Sequence, residues 1–127
     1  MPSKDLANVV SVAQSIRPAA ITATTNGVAV NMLGYESAVV VVSPGTITDG
    51  THTPKVQYSD DGSTGWTDVP AAGLQGSFAA MASNTVQEVG VVGAYNYLRA
   101  VSTVSGATTG GVYEISIVRG HPDTAPV

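Results

Sequence analysis

The residues best suited to chemistry in this sequence are three aspartates in one short stretch. Asp60, Asp61 and Asp68 lie within SDDGSTGWTDV, residues 59–69, beside Trp66, the only tryptophan. An EF-hand calcium loop needs oxygen ligands at alternating positions, a final Glu and flanking helices. Here two of the acids are adjacent, and both flanks have the pattern of strands. The stretch therefore favours a hairpin turn whose aspartates bond backbone amides, with a weak calcium site as the alternative.

The same stretch resembles an Asp-box hairpin, which has the pattern S-x-D-x-G-x-T-W. Asp60, Gly62, Thr64 and Trp66 follow in that order, although Gly65 is inserted before the tryptophan. In such hairpins the aspartate and threonine bond to the turn backbone, and the tryptophan packs beneath it. We therefore expect Trp66 to be buried and to anchor the returning strand.

The remaining reactive side chains do not form a catalytic set. His52 and His121 are far apart in the sequence and have no Asp or Glu at metal-ligand spacing, so each is predicted to be a solvated or interface residue. No serine lies in a nucleophile elbow, Gly110-Gly111 lacks the Lys of a phosphate loop, and there is no cysteine. The sequence predicts a protein that is not an enzyme and has no cofactor and no metal.

Aromatic side chains are the other possible binding groups. Tyr95 and Tyr97 are two residues apart and so would share one face of a strand. Sugar-binding sandwiches present such residues on an open face, whereas the alternative is that they cap the core. A carbohydrate-binding module that uses Tyr95, Tyr97 and Trp66 is the rival function from another class.

Charge is scarce in this chain, at 11% of residues against about 25% in an average soluble domain. A surface poor in Lys and Glu is typical of one that other protein covers, although a Ser- and Thr-rich β-protein could simply need few charges. Five scattered basic residues and a net charge of −4 predict no nucleic-acid partner. The N-terminal residues lack the pattern of a secretion signal, and no run approaches the roughly 20 apolar residues of a membrane span. We expect a soluble protein with no membrane partner.

Short β-branched runs separated by Gly, Asn, Asp and Pro predict one all-β domain over residues 1–127. About eight strands close naturally into an antiparallel β-sandwich that is jelly-roll-like. Residues 1–8 and 120–127 have little core potential and are predicted to be extended arms. The predicted strands are 18–25, 28–33, 37–43, 53–59, 66–69, 85–92, 96–104 and 111–119, with a further candidate near 9–16.

Four local features sharpen this prediction. Asn26-Gly27 predicts a type I′ hairpin between neighbouring strands. The run SAVVVVS, residues 37–43, is apolar at consecutive positions, which indicates a strand covered on both faces or one whose outer face meets a partner. Pro44-Gly45 should end that strand. Residues 70–84 are predicted to be a long connection with a helical turn around Leu74 to Phe78.

Two segments, GYESAVVVVSPGTITDGTHTPKVQYSDDGSTGWTDV and VSGATTGGVYEISIVRGHP, resemble the β-sandwich head cement or decoration proteins of tailed bacteriophages. The likeness covers roughly residues 5–127. It implies a structural virion protein, made in the host cytoplasm and located on the capsid exterior, that stabilises the capsid without catalysis. Its implied partners are the major capsid protein and itself, as a homodimer or homotrimer. A phage tail or baseplate β-domain shares the composition and is a further alternative.

The two arms are the predicted partner-binding regions, because they hold few core residues and several of the scarce charges. The predicted contact residues are Lys4, Asp5, Leu6 and Arg17 towards the N-terminus, and Arg119, His121 and Pro122 towards the C-terminus.

Overall fold

A computed structural model describes residues 9–93 and 95–122. Apart from one 3-10 turn, Ala71–Gly73, its regular elements are strands. They are β1 (Ser11–Ile21), β2 (Thr25–Asn26), β3 (Val30–Asn31), β4 (Tyr35–Ile47), β5 (Thr51–Ser59), β6 (Thr67–Asp68), β7 (Leu74–Gln75), β8 (Gln87–Val92), β9 (Tyr97–Ser105) and β10 (Gly111–Pro122). In the described residues, no helix is long and apolar enough to cross a membrane.

The strands form two antiparallel sheets that pack face to face. Sheet A has the order β1-β10-β4-β8-β7, and sheet B has the order β2-β9-β5-β6, with β3 also paired to β9. The pairing is nested, because β1 pairs with β10, β2 and β3 with β9, β4 with β8, and β5 with β6. A long hairpin rolled up in this way is a jelly roll. The predicted all-β, jelly-roll-like sandwich is confirmed.

The core lies between the sheets and is built by residues that alternate along each strand. Tyr113, Ile115 and Ile117 of β10 are at most 1% exposed, which confirms their predicted common face. Leu98 and Val56 are buried opposite them in sheet B. Alternation therefore places the intervening residues of β10, β9 and β5 on the two outer faces of the sandwich.

The N-terminal part of the chain forms one long strand where two were predicted. β1 continues past Arg17 and Pro18, with register shifts between Gln14 and Ile16 and between Ile16 and Ala19. Pro18 is tolerated because β1 is the edge strand of sheet A and is bulged there.

The predicted type I′ hairpin at Asn26-Gly27 is wrong. β2 and β3 both pair with β9 instead of with each other. The Gly27 amide donates to the carbonyl oxygen of Ala100 at 2.7 Å, and a Cβ on Gly27 would collide with the Ser15 side chain. Position 27 therefore requires glycine because the backbone packs closely against β9 and β1, and not because the chain forms a left-handed turn.

Strand β4 does not end at Pro44-Gly45 as predicted, but continues to Ile47. Its pairing with β8 stops at Val42, so beyond that residue it has a strand partner, β10, on one side only. A proline is tolerated in such an edge position, and the register shift between Gly111 and Tyr113 of β10 adjusts the pairing around it.

The C-terminal arm was predicted to begin at residue 120, but strand β10 continues to Pro122. Gly120 pairs with Ser37 and Pro122 with Tyr35, so residues 120–122 extend β10. The rest of that arm, residues 123–127, and the predicted N-terminal arm, residues 1–8, lie outside the described residues.

The long connection lies between β7 and β8 and covers one side of the sandwich. The helical turn comes before Leu74, which itself begins β7, and not around Leu74 to Phe78 as predicted. Met81 is buried, and its amide donates to the carbonyl oxygen of His52 at 2.7 Å. The side-chain amide of Gln87 bonds both the N–H and the carbonyl of Ala79, at 2.9 Å each, as a neighbouring strand would.

Candidate binding surfaces

The aspartate-rich stretch is a turn that Asp61 organises. Its Oδ1 accepts hydrogen bonds from the amides of Ser63 and Thr64 at 2.8 Å each, and its Oδ2 accepts from the Thr64 hydroxyl at 2.8 Å. The Ser59 hydroxyl donates to Oδ1 at 3.0 Å. These hydrogen bonds, led by those from the Thr64 and Ser63 amides, hold the pKa of Asp61 far below its usual value. The predicted turn is therefore confirmed at Asp61.

The three aspartates do not converge on one point. Asp60 contributes its backbone oxygen, which accepts from Asn96, whereas Asp68 lies on the outer face of sheet B and pairs with Lys55. Among residues 9–93 and 95–122, no group of three or more His, Asp and Glu is arranged to hold a metal ion.

Trp66 is not buried beneath the turn, so that prediction is wrong. The ring is half-buried on the outside of sheet B, where the guanidinium carbon of Arg99 lies 4.4 Å from its centroid. Because Asp61 and not Asp60 organises the turn, Gly65 is not an extra residue in the Asp-box spacing. Trp66 directly precedes β6 and is two residues from Asp68, so continued alternation places both side chains on the outer face.

A connected group of side chains surrounds this ring on the outer face of sheet B. We call it the Arg99 patch, and it consists of Lys55, Gln57, Trp66, Asp68, Tyr97 and Arg99. The Arg99 Nε and Nη2 both donate to Oε1 of Gln57, at 3.0 and 2.8 Å. The Gln57 Nε2 then donates to Oδ1 of Asp68 at 2.8 Å, and the Lys55 Nζ lies 3.2 Å from the same oxygen.

The charges in the Arg99 patch are unequally compensated. The hydrogen bond from Gln57, followed by that from Lys55, lowers the pKa of Asp68, so this carboxylate is ionised at neutral pH. Partial burial lowers the pKa of Arg99 from its high usual value. Within the described residues the only ion pair is Lys55–Asp68. Arg99 thus has a neutral amide and an aromatic ring as neighbours, but no carboxylate.

The two tyrosines predicted to share a face are separated. Tyr97 begins β9 and lies on its outer face, with its ring against Gly62 of the turn. Tyr95 precedes the strand, packs against the core and stacks on Tyr58 with 4.8 Å between ring centroids. Alternation does not apply to Tyr95, because it lies outside β9.

The outer face of sheet A carries an apolar surface that we call the valine face, formed by Val12, Val39, Val41, Val92 and Val118. Val12, Val118 and Val39 lie directly opposite one another on the adjacent strands β1, β10 and β4. Val12 is 62% exposed and Val92 is 50% exposed. In the described part of the chain, no third layer covers this face. Strand β4 is thus not covered on both faces by the described residues, and contact of its outer face with a partner stays a prediction.

Acidic groups flank the valine face. Glu88 lies opposite Val41, and Glu114 lies further along β10, where its Oε2 accepts from the Gln14 side chain at 3.1 Å. The face thus combines an apolar centre with a polar, negatively charged border.

The predicted contact residues that the structure describes do not form one cluster. Arg17 is exposed on β1. Arg119 is held within the fold, since its Nη1 donates to the carbonyl oxygen of Asn31 at 2.9 Å, and its Nη2 to the Ser11 hydroxyl at 2.7 Å. Its guanidinium carbon also lies 5.0 Å from the Tyr35 ring centroid.

The other predicted contact residues lie at or beyond the ends of the described chain. His121 is exposed and forms a hydrogen bond between its Nδ1 and the Ser37 hydroxyl. Pro122 ends β10, and Lys4, Asp5 and Leu6 lie outside the described residues. Partner binding by these residues stays a prediction.

His52 is predicted to be a solvated or interface residue, and that prediction is wrong, because the side chain is fully buried between the sheets. Its ring nitrogens bond the Tyr113 hydroxyl and the carbonyl oxygen of Asp49. The turn residues around it in the sequence suggested exposure, but strand β5 already begins at Thr51 and directs His52 inward.

Sequence reasoning missed both surfaces as units. The signals for the Arg99 patch are the aromatic residues Trp66 and Tyr97, already named as candidate sugar-binding groups, and alternation. Alternation directs Lys55 and Gln57 away from Val56, and Arg99 away from Leu98. The neighbours that turn these residues into a network come from strand pairing.

Comparison with models of protein families found no match, and searches of curated proteins and of solved structures also gave no significant match.

Proposed function

We propose that this chain is a structural virion protein of a tailed bacteriophage that binds the outer surface of the capsid and stabilises it by non-catalytic contacts. The observation that supports this most is the valine face of sheet A. Contiguous exposed apolar surface with a polar border is typical of a protein-binding site. The resemblance of the sequence to head cement proteins suggests the major capsid protein as the partner.

The energetics fit a protein that acts in many copies. Full burial of one valine side chain contributes about 1.5–3 kcal/mol, and the valines of this face are already partly covered by their neighbours. A single contact of this size is weak. On a lattice, a dimer or trimer that engages several subunits gains from effective concentration, so modest contacts add to stable binding.

The border of the valine face would then set orientation. Glu88 and Glu114 carry negative charge beside the apolar centre, and such border charges affect the rate and specificity of association more than its strength. A basic residue on the capsid surface opposite either glutamate is part of this proposal.

The test is binding to empty heads assembled from the major capsid protein that is encoded in the same genome. Co-sedimentation measures occupancy, and light scattering of the free chain measures whether it is a dimer or a trimer. Val12→Lys places a charge on the valine face and should lower the affinity for heads about tenfold or more. Val28→Lys is the matched control, since Val28 is 54% exposed in the link between β2 and β3, is not part of the valine face, and should not affect binding.

Three outcomes would contradict the proposal. They are an absence of wild-type binding to heads, equal binding by Val12→Lys and wild type, and binding to purified tails or baseplates in place of heads. The last result would favour the tail or baseplate alternative. A chain without residues 1–8, together with Arg17→Ala, tests whether the predicted N-terminal contact residues take part.

A further inference from the structure

We propose that the Arg99 patch is a binding site for an acidic saccharide, meaning a sugar unit that carries a carboxylate. The patch lies on the outer face of sheet B, whereas the valine face lies on the outer face of sheet A. The two surfaces therefore point in opposite directions, and this inference does not depend on the proposed capsid partner.

The Arg99 guanidinium has a fixed orientation and an unused donor. Its Nε and Nη2 are both bonded to Oε1 of Gln57, and Trp66 lies against its plane, so the group is held in one orientation. Nη1 donates to no acceptor among residues 9–93 and 95–122. Of the two guanidinium edges that can bind the oxygens of a carboxylate in parallel, the one formed by Nε and Nη2 is occupied by Gln57, whereas Nη1 on the other edge is free to donate.

The Arg99 patch is positively charged overall. Lys55 and Arg99 are cations and Asp68 is an anion, which leaves one net positive charge in a chain whose overall charge is −4. A ligand with a single carboxylate would neutralise this charge. The Asp68 carboxylate would repel a ligand with several closely spaced anionic groups, so a sugar carboxylate fits better than a polysulfated sugar.

The Arg99 patch also combines aromatic rings with hydrogen-bonding side chains. Trp66 and Tyr97 lie on the same outer face as Arg99, and aromatic rings give rigid, amphipathic contact area. A sugar ring has apolar C–H groups that pack on such rings, and hydroxyl groups around its edge. The Lys55 and Asp68 side chains, 40% and 61% exposed, are accessible donors and acceptors for those hydroxyls.

The same features favour a saccharide over an acidic peptide. An extended peptide binds by adding main-chain hydrogen bonds along a free strand edge. The Arg99 patch is instead made of side chains on an open sheet face, and Gln57 at its centre lies in β5 where that strand is paired with both β9 and β6.

Fluorescence of Trp66 is a direct probe, because it is the only tryptophan in the chain. We would titrate the wild-type protein with two matched pairs of sugars, galacturonic acid with its methyl ester, and sialyllactose with lactose. At least one acidic sugar should change the emission with saturation at concentrations up to about 10 mM, and its neutral partner should bind at least tenfold more weakly. The inference is overturned if neither acid binds, or if neutral and acidic forms bind equally.

Variants test the role of the guanidinium. Arg99→Lys retains the charge but loses the planar fork, and should weaken binding of the acidic sugar about tenfold; Arg99→Gln should weaken it further. Arg17→Gln, at an exposed arginine on sheet A, is the matched control and should bind as wild type. Thermal melts check that each variant is folded. If Arg99→Gln does not fold, the inference is still tested by Arg99→Lys and by comparing the acidic sugar with its methyl ester. Equal binding by wild type and Arg99→Lys, or tighter binding of a hexaglutamate peptide than of either acidic sugar, would overturn the assignment.

Discussion

The Nδ1 of His52 lies 3.1 Å from the hydroxyl oxygen of Tyr113, so a hydrogen bond joins β5 of sheet B to β10 of sheet A across the core. The Nε2 of His52 lies 3.0 Å from the carbonyl oxygen of Asp49, which only accepts, so Nε2 carries the proton and Nδ1 is the acceptor. The Tyr113 hydroxyl therefore donates to Nδ1, and the Ser102 hydroxyl, 2.7 Å away, donates to Tyr113. The buried polar groups are thus mutually satisfied, which gives the core a single favoured arrangement.

Tyr113→Phe should destabilise the protein although it retains the ring. The change removes the only donor to Nδ1 of His52 among the described residues, and a buried acceptor left unpaired costs about 1–3 kcal/mol. Each kcal/mol of unfolding free energy that is lost should lower the Tm, measured by circular dichroism, by roughly 2–8 °C. Tyr97→Phe on the half-buried outer face is the control and should change the Tm little. An unchanged Tm for Tyr113→Phe would mean that the network contributes nothing to stability.

The same tyrosine predicts a loss of stability at alkaline pH. Burial raises the pKa of Tyr113 above its ordinary value near 10, partly opposed by the hydrogen bond with Ser102. Above about pH 10 the unfolded chain loses this proton while the folded chain retains it, so the free energy of unfolding should decrease as pH rises. Urea denaturation at pH 9, 10 and 11 measures this slope. Tyr113→Phe should have a shallower slope, and equal slopes would contradict the prediction.

Asp49→Ala should release the loop between β9 and β10. The Asp49 carboxylate accepts from the amides of Thr108 and Thr109 at 3.1 Å each and from Gly110 at 2.7 Å. These bonds, with that of Gly110 first, lower the pKa of Asp49. We expect faster hydrogen exchange at the three amides, measured by NMR. Core amides such as that of Ile115 should slow or speed only as much as the change in the global free energy of unfolding requires. Unchanged exchange at the three amides would contradict this role.

Asp61→Asn should make stability less sensitive to acid. Amide hydrogen bonds from Thr64 and Ser63 hold the pKa of Asp61 below its ordinary value of 3.8. Its stabilisation is therefore present above that ordinary value and is lost as pH falls through the lower folded-state pKa. The variant should be less stable than wild type at pH 7, and the difference should shrink towards pH 2 in denaturant titrations. Asp60→Asn is the control, because the Asp60 carboxylate makes none of these bonds, and a difference independent of pH would refute the prediction.

Trp66→Ala should cost much less stability than a core substitution, despite the size of the side chain. The ring is half-buried on the outer face of sheet B, so we expect a loss of roughly 1 kcal/mol from its contact with Arg99 and its covered surface. Leu98→Ala, at a fully buried position of the neighbouring strand, should cost about 2–5 kcal/mol. Denaturant unfolding of both variants compares them, and an equal loss would show that Trp66 acts as a core residue.

Local patterns were sufficient for the parts of the fold that depend on near neighbours. The alternation through Tyr113, Ile115 and Ile117 predicted an inner face, because the period of a strand is two residues whatever it pairs with. The Asp61 turn was predictable for a similar reason, since all hydrogen bonds of the Asp61 carboxylate lie within residues 59–64.

Long-range pairing decided what those patterns left open. Asn26-Gly27 has the composition of a hairpin, but Gly27 instead packs closely against β9 and β1. His52 has turn residues before it, yet its partner Tyr113 lies 61 positions away in the sequence. Neither distant partner is visible in a local window.

The sequence alone therefore determined an all-β sandwich, its inner faces and its main turn, because strand alternation and turn chemistry act over a few residues. Tertiary structure determined which side Trp66 occupies, the burial of His52, and the assembly of the valine face and the Arg99 patch. These features bring together side chains from different strands, and their positions follow from register and from packing between the sheets.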